Sequence, residues 1–174
     1  MPQTVPPFAE LLANCRHSAV HLETRDVYGV ENEDEDFAAW RAGQRHTPEN
    51  REEWWNSFHT SVAEAVGRGV KVRRARIVSE PLSEYVRYEH ASTFQNILAG
   101  EEVRWLPRRL ASDLLIPGND LWLFDHNLVR FGLFSGDGAF VGHTLSEDPA
   151  VIKNVSESFE SIWNRAIPHD SYIT

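Results

Sequence analysis

The side chains with most scope for chemistry are arginines. Arg73, Arg74 and Arg76 fall within the apolar run Val70–Ser79, and Arg108 and Arg109 follow Pro107. Arginine beside aromatic rings suits a phosphate, a carboxylate or a nucleotide, because its planar fork pairs with such anions through two hydrogen bonds. If the runs around Arg74 and Trp105 are strands, their carboxyl ends would frame a pocket lined by Glu80, Tyr85, Arg87, Trp105, Arg108 and Arg109. Arg74 and Arg76 would lie on the strand beneath it, where open α/β sheets bind ligands. The competing reading, which we favour, is an ion-pair network that fixes a helix on the sheet. Arg74 and Arg76 share one face of a strand and Arg73 takes the other, and an arginine inside a sheet must be paired. Glu80, Glu84 and Glu89 are the acids expected to do so.

Other groups are weaker. Asp120 and Asp125 could form an acid–base pair, but their odd spacing on a strand sends them to opposite faces, and Asp125 reads better as fixing a hairpin. His21, Glu23 and Asp26 could ligate a metal, as could His17 with His21. With no further histidine at ligand spacing, and with the helix expected to end before His17, solvent-facing side chains are the simpler reading. The acidic run Glu31–Asp36 lacks the alternation and mid-loop glycine of a calcium loop. No Gly-rich phosphate loop, Gly-x-Ser-x-Gly elbow or His-Glu-x-x-His helix occurs. No cofactor or metal is therefore expected.

The elements that must position these residues follow from length and pattern. The 174 residues suffice for one domain with a full core, 1–174. With Cys15 as the lone cysteine and no long apolar run or signal-like start, a cytoplasmic protein is expected. Net charge is −9, yet Arg68–Arg109 holds nine basic and five acidic residues. An acidic shell opposes direct nucleic-acid binding, while the basic middle could hold one small anion.

A short helix is predicted from Phe8 to Arg16 and an extended segment over Ser18–Tyr28. Acids at Glu31–Asp36 would start a helix running past Trp40. Thr47 caps and Pro48 opens a further helix whose stripe of Trp54, Trp55, Phe58, Val62 and Val66 runs to Gly67. The two tryptophans read as core and His59 as a partly exposed helix residue. Val70–Ser79 is an interior strand, since its apolar residues occupy both faces. A helix from Ser79-Glu80-Pro81 to Gly100 follows, with His90-Ala91-Ser92 a point where it could divide. Glu102–Leu106 is a second interior strand. Leu121–Asp125 and Leu128–Phe134 form a hairpin, and Ala139–Leu145 could be a third strand beside them. Asp148 and Pro149 start a strongly one-sided helix that ends at Pro168.

The runs Val-Arg-Arg-Ala-Arg-Ile-Val-Ser-Glu-Pro from Val72, Tyr-Val-Arg-Tyr-Glu-His from Tyr85, Ala-Gly-Glu-Glu-Val-Arg-Trp-Leu-Pro-Arg-Arg from Ala99, Asp-Leu-Trp-Leu-Phe-Asp from Asp120 and the closing Ala-Ile-Pro-His resemble an actinobacterial family, the domain of unknown function 6879, over residues 8–172. That resemblance implies a regulatory role, with a helix-turn-helix regulator of the Xre type as protein partner. The layout also resembles a phospholipase D-like domain: a mixed sheet covered by helices on both faces, with a hairpin whose first strand ends in Asp, here Asp125. Where the catalytic relatives carry a histidine and a lysine before that Asp, this chain has Gly118 and Asp120. Phosphoryl transfer through a phosphohistidine needs the imidazole, and an acid in place of the lysine repels phosphate. The resemblance therefore implies a non-catalytic relative. A small-anion or nucleotide sensor using the arginine pocket, or a degenerate phosphodiesterase or nuclease, are the alternatives.

Overall fold

The computed structural model describes residues 4–29 and 31–173, with only the backbone for residues 31–34. In chain order the elements are α1 (Phe8–Asn14), β1 (Ser18–Glu23), α2 (Glu31–Arg41), α3 (Arg51–Trp54), α4 (Ser57–Gly67), β2 (Lys71–Val78), α5 (Glu84–Ala99), β3 (Glu102–Pro107), β4 (Leu121–Phe124), β5 (Leu128–Phe134), β6 (Phe140–Ser146), α6 (Pro149–Arg165) and β7 (Ile167–Pro168).

The strands form one seven-stranded sheet in the order β6-β5-β4-β1-β2-β3-β7. β1, β2 and β3 run parallel, whereas β4, β5, β6 and β7 each pair antiparallel with their neighbours. Alternation along the strands builds two cores. Val20, Leu22, Ala75, Ile77, Leu121 and Leu123 face one way, against Ile152, Val155, Phe159 and Ile162 of α6. Ala19, Val72, Trp122 and Phe124 face the other way, against Leu11 and Leu12 of α1 and Val62 and Ala65 of α4. α5 continues that second layer through Val86, which meets Val103 and Trp105. The expectation of a mixed α/β sheet with helices on both faces is met.

Several boundaries differ from expectation. The helix expected from Thr47 to Gly67 is divided, because the Asn56 side chain accepts hydrogen bonds from the backbone N–H groups of Phe58 and His59 and so starts α4 afresh. His59 is buried rather than partly exposed, because its ring nitrogen turns back to the Asn56 backbone N–H at 3.1 Å. α5 begins not at Pro81 but after Ser83, whose hydroxyl accepts from Val86 N–H at 3.1 Å. It continues unbroken through His90-Ala91-Ser92 and stops at Gly100. β1 ends at Glu23, short of Tyr28. α2 forms where the acidic run predicts a helix start; the side chains of residues 31–34, on which the dipole argument rests, lie outside the described residues.

Candidate functional site

Arg74 and Arg76 project from β2 into the layer under α5 and are 5% and 6% exposed. Arg74 donates from Nε to Glu101 at 2.7 Å and from Nη1 to Glu23 at 3.0 Å. Arg76 reaches Glu23 through Nε at 2.8 Å and also meets Glu89. The Arg76 contacts are ion pairs rather than aligned hydrogen bonds. Burial opposes charge on Glu23 and Arg74. For Glu23, Arg76 and then Arg74 overcome it and hold the carboxyl at about 2, while Glu101 and Glu23 together raise the pKa of Arg74. Arg73 points to the opposite face and pairs with Glu160 of α6 at 2.6 Å.

The face assignment read from the sequence is therefore correct, but most of the expected acid partners are not. Only Glu89 joins Arg76. Glu80 pairs with Arg109 and Glu84 with Arg41. Glu23 and Glu101 do the work instead, because β1 lies parallel beside β2 with Glu23 opposite Arg76, and Glu101 sits where the chain turns from α5 into β3.

The residues expected to line one arginine pocket are scattered. Arg108 is held by the Ser79 hydroxyl at 3.0 Å, by the Thr24 and Ile77 carbonyls and by Asp26. Glu80 bridges Arg109 at 2.9 Å and the Tyr172 hydroxyl at 3.1 Å. Arg87 is exposed and donates to the Leu82 carbonyl. Trp105 is fully buried and stacks on Tyr172, with its ring N–H on His169. Tyr85 points away from this cluster, toward Tyr28 and Phe37. The strand ends are thus closed by pairings within the chain.

Asp125 sits in the β4–β5 turn with φ 49. Its carboxylate accepts from the backbone N–H groups of Arg16, His17 and Ser18 at 2.8, 2.7 and 2.9 Å, and from the Cys15 thiol at 3.1 Å. Burial disfavours its charge, but these donors lower its pKa to about 2. Asp125 ties the β4–β5 turn to the start of β1, where the sequence points only to a role within the hairpin. Burial and the adjacent Asp125 push the Cys15 thiol up to about 11.

A cleft that the sequence did not announce opens on the same face as Arg74 and Arg76, over β1, β4, β5 and β6. It encloses about 290 Å³ and is lined by His21, Glu23, Tyr28, Tyr85, Glu89, Asp120, Trp122, Arg130, Phe134, Phe140 and His143, among others. Asp120 is 5% exposed and accepts from Thr24 N–H at 2.9 Å, from the Thr24 hydroxyl at 2.7 Å and from the Tyr28 hydroxyl. Burial outweighs those bonds and raises its pKa. His21 lies flat on Trp122 with ring centres 4.3 Å apart. Burial and Arg74 keep it neutral, with its pKa well below 6.5. His21 and Glu23 are therefore largely enclosed rather than solvent-facing as expected, and Asp26 accepts from both the backbone and the hydroxyl of Ser79. Among the described residues no group of three or more His, Cys, Asp or Glu is placed to hold a metal ion.

On the far wall of the cleft stands Arg130, half-buried on β5. Its Nη2 lies 3.1 Å from His143 Nδ1, and its Nε has no hydrogen-bond partner among the described residues. Sequence reading passed over Arg130 as one polar residue in a hairpin strand. The available signal was parity: Arg130 shares its strand face with Leu128 and Phe134, and pairs across the hairpin with Trp122.

The architecture defines a mixed α/β domain built on a seven-stranded sheet with helices on both faces. A family model, described as a domain of unknown function (DUF6879), matches residues 6–174, and the chain belongs to that family. No curated protein matches the chain. Among solved structures, TrmBL2, described as an archaeal chromatin protein with a novel mode of DNA binding, is similar with a TM-score of 0.50 and 15% identity. The similarity covers 91% of this chain and 47% of TrmBL2, so the chain spans about half of that protein's length. At that identity the likeness concerns the fold alone. No helix of the described residues is long and apolar enough to cross a membrane.

Proposed function

We propose that this domain is a non-catalytic relative of the phospholipase D-like fold that acts in the cytoplasm by contact with a helix-turn-helix regulator. The observation that carries the reading is the fate of the two hairpin carboxylates. Asp125 and Asp120 each accept hydrogen bonds from three or more scaffold donors, so neither offers a free base at a phosphodiester. Gly118 is an exposed loop residue without an imidazole to attack phosphorus. Arg74, Arg76 and Arg109, which a phosphate or nucleotide would need, are paired with Glu23, Glu101, Glu89 and Glu80, and Arg108 is held by Asp26, Ser79 and two backbone carbonyls.

The likeness to TrmBL2, described as a chromatin protein with a mode of DNA binding, supports a setting near DNA for the proposal. There a related fold makes up about half of a DNA-binding protein. Here the net charge of −9 repels phosphates, so DNA contact falls to the partner. Affinity capture of the tagged domain in its own host is expected to enrich a helix-turn-helix protein. The purified pair should then shift operator DNA that the domain alone leaves unshifted. Hydrolysis of bis(p-nitrophenyl) phosphate by the purified domain would refute the non-catalytic assignment, and capture that enriches no regulator would refute the partner.

A further inference from the structure

We propose that the cleft around Arg130 is a binding site for a small monocarboxylate with an apolar body and a hydrogen-bond donor, the class to which apolar amino acids belong. Arg130 is the first ground. A guanidinium partly withdrawn from water is unfavourable unless an anion meets it, and the other arginines of this sheet face, Arg74 and Arg76, each have one. Arg74 and Arg76 are matched by Glu23, Glu101 and Glu89. Among the described residues Arg130 meets only a histidine nitrogen, and its Nε has no acceptor. Burial accordingly lowers its pKa, as expected of a cation lacking a counter-charge. The Phe8 ring lies 6.0 Å from its guanidinium carbon, at the limit of a useful cation–π contact.

The walls select the rest of the ligand. Trp122, Phe134, Phe140 and Tyr85 supply apolar surface for a compact body. Glu89 and Asp120 also line the cleft; besides their contacts with Arg76 and with Thr24 and Tyr28, their carboxylates keep lone pairs that can accept from an amine or hydroxyl. The same acids repel a dianion. A single guanidinium in a cleft that also holds two acids suits a single carboxylate. A volume of about 290 Å³ is at the small end for ligand sites and admits an amino acid more readily than a nucleotide.

The test is calorimetric titration of the whole domain with L-phenylalanine, benzoate, phenethylamine, inorganic phosphate and AMP, alongside Arg130→Met. L-Phenylalanine or benzoate is expected to bind, with affinity reduced at least about tenfold in R130M, since charge-assisted bidentate pairs carry that much. The melting temperature of the ligand-free R130M protein is expected to equal or exceed that of the parent, because a counter-ion-free charge has been removed. If R130M fails to fold, Arg130→Lys keeps the charge but loses the fork and should still weaken carboxylate binding. The proposal is overturned if neither carboxylate binds, if binding is unchanged in the variant, if phosphate or AMP binds more tightly than both carboxylates, or if R130M folds with a lower melting temperature.

Discussion

Asp125 illustrates how much one side chain can organise. Its residue conformation, φ 49, suits Asp or Asn, which tolerate the left-handed region better than most residues. Its carboxylate gathers three consecutive backbone N–H groups that would otherwise point out of the sheet end. Asp125→Ala is expected to cost about 2 kcal/mol, since charged acceptors contribute more than neutral ones but this one is partly open to water. Asp125→Asn, keeping the shape and the turn preference, should cost about half as much. Urea unfolding of the two variants checks the order, and equal losses would show that charge is irrelevant to the knot. The hairpin role was readable from the sequence, since Asp-His-Asn between two apolar runs is a turn signal. The identity of the donors was not, because residues 16–18 come from over a hundred positions earlier in the chain.

At the scale of elements, caps and stops governed the register of the helices. Asp148 accepts from Ala150 N–H at 2.8 Å and Pro149 opens α6, as the sequence predicts. Gly100 ends α5 at φ 108, and a Cβ there would sit 2.9 Å from Val66 Cγ2 of α4. Gly100→Ala therefore meets a backbone conformation hostile to alanine and a side chain in the way, and should lose more than about 1 kcal/mol. Gly67, at the end of α4, has open space at its Cβ position and no positive φ. Gly67→Ala should be neutral or stabilising by up to about 1 kcal/mol. Thermal melts of the pair decide it, and a Gly100→Ala protein as stable as Gly67→Ala would refute the packing of α5 on α4. Asn56 was overlooked as a helix start because the apolar stripe runs on through it. Periodicity reports a face, but only the side-chain hydrogen bond marks the break.

Across the whole molecule, buried titratable groups set the response to acid. His21, His59, His90, His143 and His169 all have pKa values lowered from 6.5, burial being the largest cause for each. Burial and then Arg130 take His143 down to about 4. The unfolded chain therefore takes up protons below pH 6.5 that the folded chain refuses, and stability falls as pH drops. Glu23 and Asp125, held at about 2, add stability present above the ordinary carboxylate range and lost as pH falls toward 2. Asp120, with its pKa raised, works the other way and softens the loss. Urea midpoints at pH 7.5, 5.5 and 4 should decline at each step in the order given. A midpoint unchanged between the first two would mean that the histidines are not buried in neutral form.

The chain order alone determined the helices with strong one-sided patterns, the interior strands around Arg74 and Trp105, the hairpin, and the opposed faces of Arg73 and Arg74. All of these are local periodicities, set by backbone geometry within a few residues. Which acid meets which arginine, and the cleft that Asp120 and Arg130 both line, were decided only by the packing of β1 between β2 and β4. That placement brings Glu23, Asp120 and Arg130 together from distant parts of the chain, and it is burial on folding, absent from any local window, that makes their charges matter.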